Sequence, residues 1–152
     1  MTNNEEFVDA LNDLVRINND RIQGFEKAIQ DNEDSGLDGL FRRMILQSQK
    51  FRSELADHIV RLDGSAVSDA TSTDFSSKIH RAWIDIKAAV SGKDRDTILS
   101  SVEFGESAAV EAYEDAMDDE DLPHYVKDVL QNHLTELRQS LEQVKALRGQ
   151  EA

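Results

Sequence analysis

Residues 37–62 place inward-facing side chains at alternating intervals of four and three residues, and the pattern lasts for three heptads. This spacing is typical of a helix that packs lengthwise against other helices, as in a bundle. The repeat therefore predicts one seam of an all-α bundle. Its inward positions are Leu37, Phe41, Met44, Ser48, Phe51, Leu55, His58 and Leu62.

Helical periodicity recurs along most of the chain. Besides residues 37–62, helices are predicted over residues 5–31, 75–90, 95–117 and 123–148. The glycines fall mostly between these segments, and the single proline, Pro123, suits the first position of a helix. Ser35 is placed to cap the helix that follows it.

The lengths of the connections predict the topology. Short turns join the first helix to the second and the last two helices to each other, so each pair is expected to form an antiparallel hairpin. The hairpins are separated by about thirty residues that contain the short predicted helix 75–90. One long crossover between two hairpins is typical of a ferritin-like antiparallel four-helix bundle, here one domain over residues 1–152 with a short extra helix in the crossover. Plain up-down-up-down connectivity is the alternative.

Composition excludes several classes of protein. The net charge of −14 argues against nucleic-acid binding, which needs a cationic surface. No apolar run approaches the ~18–20 residues of a membrane-spanning helix, and the absence of cysteine excludes disulfides and thiolate ligands. Because the first residues lack the basic and apolar pattern of a signal peptide, a cytoplasmic location is expected.

Polar residues interrupt the apolar stripes, and bundles that carry chemistry usually carry it on such residues. At a rise of roughly 1.5 Å per residue, four of them fall in one middle band about two helical turns deep, with His58 nearer one end. The four are Asn18, Ser48, Glu106 and His133.

This band has two interpretations. In the first it holds a metal, with Glu106 bridging, His133 as an imidazole ligand, and Glu103, Glu54 or His58 contributing from flanking turns. Such ligands suit iron, or another divalent metal such as manganese or zinc. In the second, the band is a buried polar layer in which Glu106 pairs with His133, while Asn18 and Ser48 complete a hydrogen-bonded network.

The sequence lacks the motif of a complete di-iron centre. Such a centre needs two Glu-x-x-His motifs, and the chain contains none. The pair Glu54 and His58 is spaced one residue too far, and His133 and Glu136 stand in reversed order. A full ferroxidase centre is therefore not expected, no catalytic residue is predicted, and the sequence favours a protein without enzymatic activity.

Several short motifs resemble an uncharacterised bacterial family of ferritin-like four-helix bundles grouped with stress-associated proteins. They are Asn19-Asp20, Gly24-Phe25 with Ala28, His80-Arg81-Ala82-Trp83 with Lys87, and Glu103-Phe104-Gly105-Glu106 with Tyr113. The resemblance implies a ferritin-like bundle, implies no established enzyme activity, and marks Asp20, Glu103 and Glu106 as acidic positions of interest. The sequence departs from the family pattern late in its last predicted helix, where it has Leu141-Glu142 instead of the expected His-Asp pair.

Two functions are compatible with these features. One is a metal-binding, iron-handling bundle related to stress. The other is a non-catalytic structural or interaction protein that acts through its acidic surface or as a dimer. A homodimer is expected in either case, because Leu40, Ile45, Ile59 and Val110 lie off the main stripes and look like more apolar surface than one core needs.

Overall fold

The described residues of a computed structural model, 3–31, 35–62, 95–119 and 122–149, are almost entirely helical and include no strand. These described residues form four long helices: α1 is Asn3–Asp31, α2 is Asp38–Arg61, α3 is Arg95–Met117 and α4 is His124–Gly149. A short 3-10 helix, Ser35–Leu37, precedes α2. For these residues, the prediction of an all-α protein with four long helices is confirmed. The predicted crossover helix, with its His80 to Trp83 motif, lies outside the described residues.

Helix bounds agree with the predicted ones to within two residues, and all eight inward positions predicted for the second helix are buried. The predicted cap is wrong: Ser35 opens the 3-10 helix, and Leu37, the residue before α2, makes no side-chain cap hydrogen bond. Pro123 precedes α4 instead of being its first residue. The Pro123 carbonyl accepts hydrogen bonds from the N–H groups of Val126 and Lys127, at 3.1 and 3.0 Å, and so starts the helix.

Apolar side chains form two separate buried clusters. The first gathers the early part of α1, the later parts of α2 and α3 and most of α4 around large residues that include Phe7, Leu11, Phe51, Leu55 and Leu130. The second gathers the later part of α1 with the early parts of α2 and α3, and includes Phe25, Phe41, Met44, Leu99 and Val102. Along the helices, the buried residues between the two clusters are mostly polar, and Ile22 of α1 is apolar. The polar ones are Asn18, Asn19, Asp20 and Arg21 on α1, Ser48 on α2 and Glu106 on α3.

The apolar residues expected to be in excess belong to the core. Leu40, Ile59 and Val110 are buried, and Ile45 is partly buried against the second cluster. The prediction that they form an outer apolar face is therefore wrong, because each helix buries a wider face than its central stripe. The large apolar side chains that the described residues do expose are Leu46, Val60, Phe104 and Tyr125.

None of the helices described is both long and apolar enough to cross a membrane.

Candidate functional site

The centre of the bundle holds a fully buried arginine, Arg21 of α1. Its Nε donates to Glu106 Oε1 at 2.7 Å, and its Nη2 donates to Glu106 Oε2 at 2.9 Å. Its Nη1 donates to Ser48 Oγ at 2.7 Å, and the guanidinium carbon lies 5.4 Å from the centre of the Phe25 ring. This is a bidentate ion pair, the strongest geometry for a guanidinium and a carboxylate, linking three helices.

The ion pair determines what Glu106 can do. Both carboxylate oxygens accept hydrogen bonds from Arg21, and neither side chain is exposed to solvent. Burying one of these charges without the other is strongly unfavourable, so each holds the other in place. The buried polar layer was predicted, but the expected pairing of Glu106 with His133 is wrong, because Arg21 occupies the carboxylate.

A second set of hydrogen-bonded side chains, Asn18, Tyr113 and His133, crosses the same layer. Asn18 Nδ2 donates to the Tyr113 hydroxyl at 3.0 Å, and that hydroxyl lies 3.0 Å from His133 Nδ1. The Phe51 ring stacks on the His133 ring with the centroids 4.0 Å apart. These contacts fix the orientation of the imidazole between α2, α3 and α4.

Burial determines the protonation states of Tyr113 and His133. It raises the pKa of Tyr113, so the hydroxyl keeps its proton at physiological pH. Burial, and then the positive charge of Lys50, lower the pKa of His133 to about 3. His133 is therefore a neutral imidazole in the folded protein, and its contact with Glu54 is not an ion pair at neutral pH.

The Nε2 side of the His133 ring faces α2. His133 Nε2 lies 3.5 Å from Glu54 Oε1. His58 follows Glu54 by one helical turn, and its ring lies 5.5 Å from that of Tyr125. Burial, and then the positive charge of Arg61, lower the pKa of His58.

The six residues predicted as metal ligands are distributed unevenly. Glu54 and His133 come together, Glu106 is bound by Arg21, and His58 lies one helical turn after Glu54 on α2. Glu103 is half-buried and forms an ion pair with Arg148, whose Nη1 lies 3.3 Å from Glu103 Oε1. Asp20 is buried on α1. Within the described ranges, no three imidazole or carboxylate groups lie close enough together to hold a metal ion.

Arg21 is the central residue that sequence reasoning missed. It lies three residues after Asn18 and four before Phe25, which places it on the seam of α1. The predicted polar band took only Asn18 from this helix, because an arginine was not expected inward. A charged residue in register with a seam is the signal that would have found it.

The fold and the site define an all-α four-helix protein with a buried arginine–carboxylate pair at its centre. The chain belongs to the family described as a domain of unknown function, DUF2383, whose model matches residues 6–119. This confirms membership of an uncharacterised family, and the matched range covers most of α1 and all of α2 and α3. A search of curated proteins finds no match.

Proposed function

We propose that this chain is a non-catalytic structural or interaction protein of ferritin-like shape. The Arg21 guanidinium, an internal cation, occupies the centre of the bundle, where a di-iron protein would bind its metal ions. The observation that carries the proposal is the buried bidentate pair of Arg21 with Glu106, at 2.7 and 2.9 Å. A carboxylate that bridges two metal ions needs its oxygens free, and here both accept hydrogen bonds from one guanidinium.

The antiparallel, ferritin-like arrangement is part of the proposal and is supported by the order of contacts. On α1, Asn18 contacts Tyr113 of α3. Arg21, further along α1, contacts Glu106, which comes earlier on α3. The same reversed order relates α2 to α4, whose contacting pairs are Gln47 with Ser140, Glu54 with His133 and His58 with Tyr125.

We further propose that the protein works as a homodimer or through its acidic surface, in the cytoplasm and in a stress-related role. Leu46 and Val60 are each 64% exposed on α2 and lie two heptads apart, hence on one side of that helix. The net charge of −14 favours a basic protein partner over another acidic surface. The stress-related role rests on the family resemblance alone.

Iron handling centred on Glu106 is the competing function, and one experiment separates the two. Purified protein is incubated aerobically with ferrous iron, and bound iron and the rate of iron oxidation are measured for the wild type and for Glu106→Gln. We expect no iron oxidation above buffer and no difference in bound iron between the two proteins. Stoichiometric iron binding that Glu106→Gln abolishes would refute the proposal. An Arg138→Gln variant, altered on the exposed surface, is the control for nonspecific effects of substitution.

A further inference from the structure

Three buried polar atoms at the boundary of α2 and α4 have no hydrogen-bond partner among the described residues. They are Glu54 Oε1, His58 Nδ1 and His133 Nε2. Glu54 and His58 are four residues apart on α2, so they share one side of that helix, and His133 approaches from α4. Buried polar atoms are nearly always satisfied, so these three require water or another ligand that the protein atoms do not supply.

The distance between two of these atoms indicates what kind of ligand fits. His133 Nε2 and Glu54 Oε1 are 3.5 Å apart, which is too long for a good hydrogen bond. A tetrahedral zinc ion binds nitrogen and oxygen at about 2.0–2.2 Å, so two of its ligands lie roughly 3.3–3.5 Å from each other. The observed separation is compatible with two ligands on one ion.

His133 is held ready to act as a ligand. Its other ring nitrogen, Nδ1, lies 3.0 Å from the Tyr113 hydroxyl, and which group donates depends on the tautomer of the imidazole. In the tautomer whose Nδ1–H donates to the hydroxyl, the Nε2 lone pair faces Glu54. A metal-binding histidine is normally oriented by such a hydrogen bond on its second nitrogen. Only 1% of the residue's surface is exposed, and the ring is neutral, which is the form that binds metal.

We propose that Glu54 and His133 bind one divalent cation of the zinc type, and that rotation of the His58 side chain brings in a third ligand. Two imidazoles and a carboxylate are a ligand set that zinc accepts, with a fourth position left to water. The half-exposed Glu54 side chain gives the ion access from solvent. The ion would join α2 to α4 and is independent of the Arg21–Glu106 pair, so this site goes beyond the proposed function.

A nearby positive charge opposes the cation. Lys50 lies one turn before Glu54 on α2, and its ammonium is 3.8 Å from Glu136 of α4. Its charge already disfavours protonation of His133, and it acts on a bound cation in the same direction. Removing that charge should therefore tighten binding, whereas removing the Glu54 charge should weaken it.

The test uses the untagged full chain, stripped with a chelator and titrated with zinc chloride by calorimetry. We expect one ion per chain and a melting temperature that rises with zinc concentration. Glu54→Gln should weaken binding at least about tenfold, since it removes the only charged ligand, and Lys50→Gln should tighten it several-fold. Glu142→Gln, which makes the same change at an exposed position of α4, should leave the affinity unchanged.

Two results would overturn the site. Absence of saturable zinc binding by the wild type would mean that water satisfies these atoms. Binding that Glu54→Gln leaves unchanged would place the ion elsewhere on the acidic surface. Because Glu54 is half-exposed, its glutamine variant is expected to fold, which circular dichroism checks. Neither result bears on the iron experiment, which depends on Glu106.

Discussion

Replacing the central ion pair tests how Arg21 and Glu106 stabilise the bundle. Glu106→Leu removes the acceptor of two of the three hydrogen bonds that Arg21 donates, at 2.7 and 2.9 Å, and leaves a fully buried guanidinium unpaired. Removing one partner of such a pair lowers the free energy of unfolding by about 3–5 kcal/mol. Arg21→Met instead leaves the buried Glu106 carboxylate without its partner. It is expected to destabilise the protein by a similar or smaller amount, because a carboxylate can take up a proton.

The double variant Arg21→Met/Glu106→Leu separates pairing from packing. Methionine and leucine fill the space with apolar atoms, and replacing a buried ion pair in this way is often neutral or stabilising. We therefore expect the double variant to lie within about 2 kcal/mol of the wild type, the remaining loss coming from the Ser48 hydroxyl that Arg21 no longer satisfies.

The assay is urea unfolding of all four proteins followed by far-ultraviolet circular dichroism, with the coupling free energy taken from the cycle. We expect coupling of at least about 2 kcal/mol. Losses that add to within about 0.5 kcal/mol would refute the reasoning, because independent sites behave in that way. If a single variant is too unstable to measure, Glu106→Gln, which keeps one acceptor oxygen, replaces Glu106→Leu in the cycle.

Three smaller effects follow from the same contacts. His133 has a folded-state pKa of about 3 against an ordinary value of 6.5, so its contribution is fully present above pH 6.5 and is lost as pH falls toward 3. Urea unfolding should show about 2 kcal/mol of loss from this group between pH 7 and pH 5, and His133→Asn should lack that part of the pH dependence. Tyr113→Phe leaves two buried partners without the hydroxyl and should lower the free energy of unfolding by about 1–3 kcal/mol, whereas the exposed Tyr125→Phe should change it little. Arg138→Ala breaks a half-exposed ion pair with Glu114 at 2.6 Å and should cost less than about 1 kcal/mol in the same assay.

The helices were predictable because the burial of apolar side chains leaves a period in the sequence. The four-and-three spacing of inward positions from Leu37 to Leu62 is unbroken, and all eight of these residues are buried. The width of each buried face was not predictable from that seam. Leu40, Ile59 and Val110 flank the stripes, and only the positions of neighbouring helices decide whether such residues meet protein or solvent.

The partners inside the polar layer could not be predicted from one sequence. Spacing along a helix shows that Glu106 and His133 face inward, but their heights relative to other helices depend on the offset between helices. An error of one turn is about 5.4 Å, almost twice the length of a hydrogen bond. The sequence therefore placed the right residues in one layer, while the pairing of Glu106 with Arg21 required coordinates.

The position of the ion pair between the two apolar clusters suggests why a buried charge pair is kept at all. If α3 slid by one turn along α1, the Glu106 carboxylate would move away from Arg21 and into one of the two clusters, leaving both charges unpaired. Such a shift is far more unfavourable than the same slip between apolar surfaces, so the pair selects one register even where it adds little net stability. Hydrogen exchange separates these contributions. A double variant as stable as the wild type but with faster exchange in α1 and α3 would show that the pair specifies the arrangement of the helices, whereas unchanged exchange would mean that the apolar clusters specify it alone.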